Sequence, residues 1–423
     1  MRKLLNLLGA ILMAISPLSI LGYRLDNNDG DDDLEIGTDI DKSEAIDDSV
    51  QGKMFTNFYT IGDSLSDNGT LTMAITEELN VLKHIVIANE RLTNQITKLL
   101  TEEQREMFYK VLEIGKEGDI KLQFGGFSAN KAGLGTFTNG KTAATLLAEM
   151  LEIEDFTPGY DFNKFSTRFV KHGKNYATGG TVAYKADGMM GFVVNDFRIV
   201  QQAKNLVKQH VIHPTDLVLF EIGGNDLFAM IGKKEEQQAK LMSKIMVNIR
   251  NTLLILINNG VRNIIAINCP DIAKIPAYVN GPQELEASRI SAMFNDAYAE
   301  VVEHIAERYP EVNIQHCNLK AKLNHLLSLY QSIGNNVTDP AFMLGKAPEN
   351  SAKEAVTLEI NQDKTEVIVN VNAHRIDDNA DQSKFFFWDV VHPSKEIHEI
   401  IGKDIYKLAE KMAEENKRLN GEK

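Results

Sequence analysis

The sequence predicts an α/β fold in which a mainly parallel sheet is covered by helices on both faces. Three observations point there. From residue 54 onward, short apolar runs alternate with stretches of helical periodicity. One run, DLVLFEI at 216–222, is apolar almost throughout, as a strand buried on both faces must be. No proline- or glycine-rich linker and no internal repeat interrupts 54–423, which favours one domain with insertions over two domains.

Taken in order, MFTNFYTI (54–61) is a strand rich in aromatic and β-branched residues that runs into Gly62-Asp63-Ser64. Residues 71–113 read as helical, with Ile75, Leu79, Leu82, Val86 and Ile96 at helical spacing. A second helix is expected to start at Thr101, where Gln104 completes a capping box. The strand 216–222 ends at Gly223-Gly224. A helix over 234–259 places Met242, Ile245, Ile249, Leu253 and Leu256 on one face and stops at Gly260. RNIIAIN (262–268) is the next strand. A helix after Pro282 aligns Ile290, Phe294, Ala297, Val301 and Ile305 and ends before Pro310. VNIQHC (312–317) is a further strand. Residues 333–381 are less regular, with a hairpin expected around a turn near Gln362–Lys364. Phe385–Trp388 reads as a buried strand and 396–418 as a terminal helix.

Composition bounds the function. Of 423 residues, 43% are hydrophobic and 25% charged, as in ordinary globular proteins. The net charge of −14 lacks the basic footprint of a nucleic-acid binder. Much of that charge sits in 26–50, which carries acidic residues throughout and the single Lys42. Residues 26–53 therefore read as a solvated acidic tether. An EF-hand loop fails on spacing: with Gly30 as the turn glycine, Leu25 and Ile36 occupy ligand positions. Residues 1–25 resemble a signal peptide, with Arg2 and Lys3 before an apolar stretch from Leu4 to Ile15 and small residues around Ser16–Gly22. No clean A-x-A site is present, so an uncleaved N-terminal anchor is the alternative. The expected location is secreted or periplasmic. Cys269 and Cys317 end two predicted strands and are either a disulfide or two buried thiols. His210 and His213 form H-x-x-H without a neighbouring glutamate motif, and read as surface histidines rather than zinc ligands. No metal or cofactor is implied.

Four distant segments carry chemistry. The first is Gly62-Asp63-Ser64-Leu65-Ser66-Asp67-Asn68-Gly69, which places Ser64 at the carboxyl edge of the sheet. Serine needs a base within hydrogen-bond reach to act as a nucleophile. Phe387-Trp388-Asp389-Val390-Val391-His392-Pro393 can supply one. Asp389 and His392, three residues apart, lie on one side of a turn, so Asp389 can orient His392 toward Ser64. Oxyanion donors are available in Asn175-Tyr176-Ala177-Thr178-Gly179-Gly180 and in Gly223-Gly224-Asn225-Asp226. Each residue alone has a plainer use, such as a loop serine, a turn aspartate or a helix cap.

These blocks, GDSLSDNG, NYATGG, GGND and FWDVVHP, together resemble the GDSL, or SGNH, esterase–lipase family in order and spacing. Phe137-Thr138-Asn139-Gly140 and Ile267-Asn268-Cys269-Pro270 resemble two further family stretches. The resemblance spans roughly 54–410, apart from insertions at about 71–122 and 333–381. It implies a flavodoxin-like three-layer sandwich around a five-stranded parallel sheet. It also implies Ser64 as nucleophile, Asp389 as orienting acid and His392 as base. The Ser64 N–H, the Gly180 N–H and the Asn225 side chain would be the oxyanion donors, with Gly179 second to Gly180. There is no G-x-S-x-G at Ser64, so an α/β-hydrolase elbow is not the template.

The first block is similar to that of secreted bacterial phospholipases A, lysophospholipases and glycerophospholipid–cholesterol acyltransferases. The expected substrate is a lipid ester, phospholipid or lysophospholipid, reached through transient contact with a membrane surface. Residues 71–113 are either a lid or a helical hairpin packed on the sheet. Hydrolysis and acyl transfer share the acyl-serine and stay open. The alternatives are a carbohydrate O-deacetylase or short-chain esterase, and a catalytically silent secreted binding module.

Overall fold

The computed structural model describes residues 53–87, 118–124, 135–161, 170–185, 195–344, 356–360 and 366–419, with isolated positions between 94 and 113. The expected signal peptide, most of the acidic tether, the helix start at Thr101 and Gln104, and the turn at Gln362–Lys364 lie outside them.

Along the chain the strands are β1 (Phe58–Ile61), β2 (Asp119–Phe124), β3 (Gly159–Asp161), β4 (Val170–His172), β5 (Leu217–Glu221), β6 (Asn263–Ile267) and β7 (Asn313–Cys317). After them come β8 (Asn336–Pro340), β9 (Phe342–Leu344), β10 (Val356–Ile360), β11 (Glu366–Val371), β12 (Ala373–Arg375) and β13 (Phe385–Phe387). The helices are α1 (Thr70–Ile87), α2 (Ala143–Met150), α3 (Ile199–Gln209), α4 (Gly224–Met230), α5 (Glu235–Asn258), α6 (Glu284–Arg308), α7 (Leu319–Ser332) and α8 (Lys395–Leu419).

The central sheet is parallel, in the order β1-β5-β6-β7, and its first three strands are buried along their full length. Side chains alternate between its faces. Leu219 points toward α2, α7 and α8, while Phe220 stacks on Tyr298 of α6 with ring centroids 6.2 Å apart. Helices α3 and α6 flank α5 on that second face. The apolar stripe expected on α5 is buried, from Met242 to Leu256.

The sheet has four regular strands among the described residues, where five were expected. The fifth position is taken by residues 174–178, which run beside β1. Thr60 N–H donates to Lys174 O (3.0 Å), Tyr176 N–H to Thr60 O (2.8 Å) and Thr178 N–H to Gly62 O (3.1 Å). The ladder stays a single bridge because the next β1-side donor, Gly62 N–H, goes to Gln202 Oε1 at 2.8 Å instead of to the Tyr176 carbonyl. With this edge segment the spatial order is that of the flavodoxin-like fold.

The two segments expected to be insertions share a sheet. β11 pairs antiparallel with β10, as the hairpin reading expected, and parallel with β2, so segments more than 200 residues apart share one sheet. Helix α1 covers the edge of β2. Asn80 exchanges hydrogen bonds with Ile120 N and O, both at 2.7 Å, and Leu122 N–H donates to Thr76 Oγ1 at 3.0 Å. Under this sheet Ile120, Leu122, Phe342, Val369 and Val371 enclose Trp388. Cys269 and Cys317 are buried free thiols.

Candidate active site

The site lies at the carboxyl edge of the central sheet, where β1 and β5 deliver their following loops. β1 ends at Ile61, and the chain turns at once through Gly62-Asp63-Ser64. Gln202 of α3 holds that turn from below: Gly62 N–H donates to its Oε1 at 2.8 Å, and its Nε2 donates to Gly62 O at 3.0 Å. The Leu65 N–H donates to Asp63 Oδ1 at 3.0 Å, and the Ser66 and Asp67 N–H groups donate to the Asp63 carbonyl. Ser64 is left half-buried at the rim.

His392 Nε2 lies 2.8 Å from Ser64 Oγ, and its Nδ1 lies 2.8 and 3.0 Å from the two Asp389 oxygens. The turn itself sets this geometry. Asp389 Oδ1 also accepts the backbone N–H groups of Val391 (2.8 Å) and His392 (2.6 Å), so the carboxylate faces the imidazole. With the Nδ1 proton committed to Asp389, Nε2 is the basic nitrogen. Burial pulls the His392 pKa down. The Asp389 charge and hydrogen bond, with the charge of Asp63, outweigh that, and the net shift is upward.

The segment Phe137-Thr138-Asn139-Gly140 clamps this loop from the side. Thr138 Oγ1 donates to Pro393 O at 2.9 Å, and Lys395 N–H donates to Asn139 Oδ1 at 2.7 Å. The Phe137 ring lies 5.3 Å from the imidazole.

The expected oxyanion donors converge on the other flank. Gly180 sits at φ +83°, is exposed, and a Cβ built on it would meet nothing within 4 Å. Gly179 differs in both respects: its N–H donates to Asp67 Oδ2 at 2.7 Å, and a Cβ there would press into the Phe137 ring at 2.5 Å. The N–H groups of Ser64 and Gly180 make no hydrogen bond among the described residues. Asn225, in the first turn of α4, is oriented by an Nδ2 hydrogen bond to Thr181 O at 3.1 Å.

Two buried carboxylates brace these loops. Asp67 accepts the N–H groups of Gly69, Thr70, Leu71 and Gly179, capping α1 while fixing the glycine pair. Burial lifts its pKa to about 6 in spite of those donors. Asp226 accepts from Ala183 and Tyr184 N–H and is lifted by burial to about 7.

Chemically, the arrangement offers an oxygen nucleophile, a base that takes its proton, an acid that orients the base, and donors for a developing oxyanion. The described residues contain no cluster of three or more His, Cys, Asp or Glu able to hold a metal. His210 is a correction to the sequence reading. It is 1% exposed, with its ring 4.9 Å from that of Tyr59, and Nε2 lies 3.3 Å from Gly173 O, so it belongs to the core rather than the surface.

Residues 58–405 match the family described as GDSL-like Lipase/Acylhydrolase, and the chain belongs to that family. It is thereby placed among ester hydrolases. No curated protein matches the chain.

Sequence reasoning missed Gln202, His398 and Glu221. Nothing local marks Gln202. His398 is buried in α8 and accepts the Ala143 N–H on Nδ1 at 3.2 Å. Glu221 did carry a signal, as the one charged residue between the apolar positions of β5 and Ile222.

Proposed function

We propose that the protein is an exported serine ester hydrolase that acts on lipid esters of the phospholipid or lysophospholipid type through an acyl-Ser64 intermediate. The observation that carries the catalytic part is the continuous Asp389–His392–Ser64 chain, with 2.8 Å at each link. In this reading Ser64 Oγ attacks the ester carbonyl carbon while His392 Nε2 takes its proton. The tetrahedral oxyanion is held by the N–H groups of Ser64 and Gly180 and by Asn225 Nδ2. On collapse the C–O bond to the leaving alcohol breaks, and His392 returns the proton to that oxygen. Water, deprotonated by the same imidazole, then attacks the acyl-serine and releases the acid. An alcohol acceptor in place of water gives acyl transfer by the same steps.

The lipid assignment is supported by family membership and by the likeness of the first block to secreted phospholipases and acyltransferases. Export is supported by the signal-peptide pattern of residues 1–22. No helix among the described residues is long and apolar enough to cross a membrane. The test compares wild type with Ser64→Ala on phospholipid and lysophospholipid vesicles, with and without cholesterol, alongside p-nitrophenyl esters of increasing chain length. Fatty acid release by the wild type alone supports the lipid reading, and sterol ester formation adds acyl transfer to it. Cleavage of acetyl esters with lipids untouched replaces it with a short-chain esterase or deacetylase.

A further inference from the structure

Directly beneath the Ser64 turn, two buried carboxylic acids lie next to each other. Glu221 ends β5 and is 3% exposed; Asp63 follows β1 and is 2% exposed. The strands are in parallel register with Ile61 opposite Phe220, which sets Gly62 opposite Glu221 and Asp63 one residue further on. Glu221 Oε2 lies 3.4 Å from Asp63 N, and the two side chains act directly on each other's ionisation, as Ser66 does on that of Glu221. The backbone is shaped around them. A Cβ on Gly62 would fall 2.9 Å from Glu221 Oε2, and one on Gly224 3.6 Å from Asp63 Oδ2. Among the described residues no lysine or arginine pairs with either acid.

Two carboxylates in contact without a cation cannot both ionise, so the pair holds a proton. Its place follows from the partners. Asp63 accepts the Leu65 N–H at 3.0 Å and acts on His392, which suits the anion. Beyond the opposing influence of Ser66, Glu221 has only the long 3.4 Å contact with a backbone N–H, which suits the neutral donor. Burial and then the charge of Asp63 push Glu221 well up. Burial also raises Asp63, against the pull of Leu65, Glu221 and His392.

The groups around the pair leave its charge uncompensated except by His392. Cys269, after β6, and Tyr298, on α6, are pushed well up by burial and stay neutral. Asp226 on α4 is near its midpoint at about 7. His398 on α8, which borders the same small cavity as Glu221 and Ser66, is held neutral by burial. Asp67 and Asp389 supply the remaining acids of the site, on the α1 and α8 sides.

We propose that Asp63 and Glu221 hold one proton between them, with Glu221 its donor, and that the pair positions catalysis. It fixes the Ser64 turn through Leu65 and presents a single negative charge beneath His392. Glu221 is thus a positioning residue that acts through Asp63. The proposal rests on the Ser64–His392 reading above.

The test follows the rate of fluorophosphonate labelling at Ser64 against pH in the full-length wild type, Glu221→Gln and Asp63→Asn. The glutamine amide can still donate to Asp63 but cannot ionise, so Glu221→Gln is expected to leave the midpoint in place. Asp63→Asn removes the charge and is expected to lower the midpoint by about one pH unit, the scale of a near neighbouring charge. Equal lowering in both variants, or none in Asp63→Asn, overturns the proposal. Infrared difference spectra of wild type against Glu221→Gln near neutral pH keep the test open should Asp63→Asn not fold. Loss of a protonated-carboxyl band supports the shared proton, and loss of only a carboxylate band overturns it. A wild type that never labels at Ser64 instead fails the parent reading, so the two failures are distinct.

Discussion

The backbone N–H of Trp388 donates to the carbonyl oxygen of His392 across 2.8 Å, closing the Asp389–His392 turn at its base. The Trp388 carbonyl in turn accepts the Phe342 N–H at 2.8 Å, and its indole is buried in the core beneath β2 and β11. Residues 119–124 and 336–371 therefore reach the His392 turn through Trp388, with Phe387 beside it accepting the Ala341 N–H at 3.0 Å. Trp388→Ala is expected to cost about 3–5 kcal/mol of stability, as for large aromatic truncations, and to lower turnover by loosening the turn. Denaturant unfolding and steady-state kinetics check both; full stability and turnover would uncouple the insertions from the site.

Asn225 stands on the first turn of α4 with Nδ2 anchored to Thr181 O. Asn225→Ala is expected to lower kcat by roughly 100- to 1000-fold with little change in KM, because an oxyanion donor acts mainly in the transition state. Steady-state kinetics on a p-nitrophenyl ester read this directly. A rise in KM at constant kcat would make Asn225 a binding residue instead.

The base sets the pH dependence. The folded His392 pKa is raised, and only its neutral form accepts the Ser64 proton. Activity should be full above that pKa and fall as pH drops through it, with a kcat/KM midpoint above the ordinary histidine value of about 6.5. Asp389→Asn removes the strongest opposing influence to burial and should move the midpoint down along with the rate. A wild-type midpoint below the ordinary histidine value would contradict this electrostatic account.

Ser64, Asp389 and His392 were legible because each sits in a contiguous block whose neighbours specify the local turn. The choice between Gly179 and Gly180 was not fixed by the block alone. It depends on Asp67, more than 100 residues away, taking one glycine's N–H. Glu221 reads as a minor flaw in an apolar strand until the β1–β5 register sets Gly62 opposite it and so brings Asp63 within reach of its carboxyl. His210 was misread for the same reason: its burial comes from Tyr59 and Tyr176, on other segments. Helical and strand periodicity revealed the alternating layers. It could not show that Gln202, far along the chain, would take the Gly62 N–H that a fifth regular strand needs.

His398 links the fold to pH in a separate way. Its folded pKa falls from 6.5 to about 3, through burial first and His392 second. The stability carried by this neutral histidine is complete above the unfolded value, drains as pH falls below it, and is gone below the folded value. His398→Gln keeps an acceptor for the Ala143 N–H and cannot ionise. Across that acid window its stability should fall less steeply than that of the wild type, by up to about 1.4 kcal/mol per pH unit. Urea unfolding across the pH range checks this, and parallel slopes would show that His398 is not buried neutral.

The most direct test of the account is peptide mapping of the wild-type protein after reaction with a fluorophosphonate. The Asp389–His392–Ser64 chain predicts one adduct, on Ser64, formed at a rate that collapses in His392→Ala. An intact Ser64, or an adduct on another serine, would contradict it.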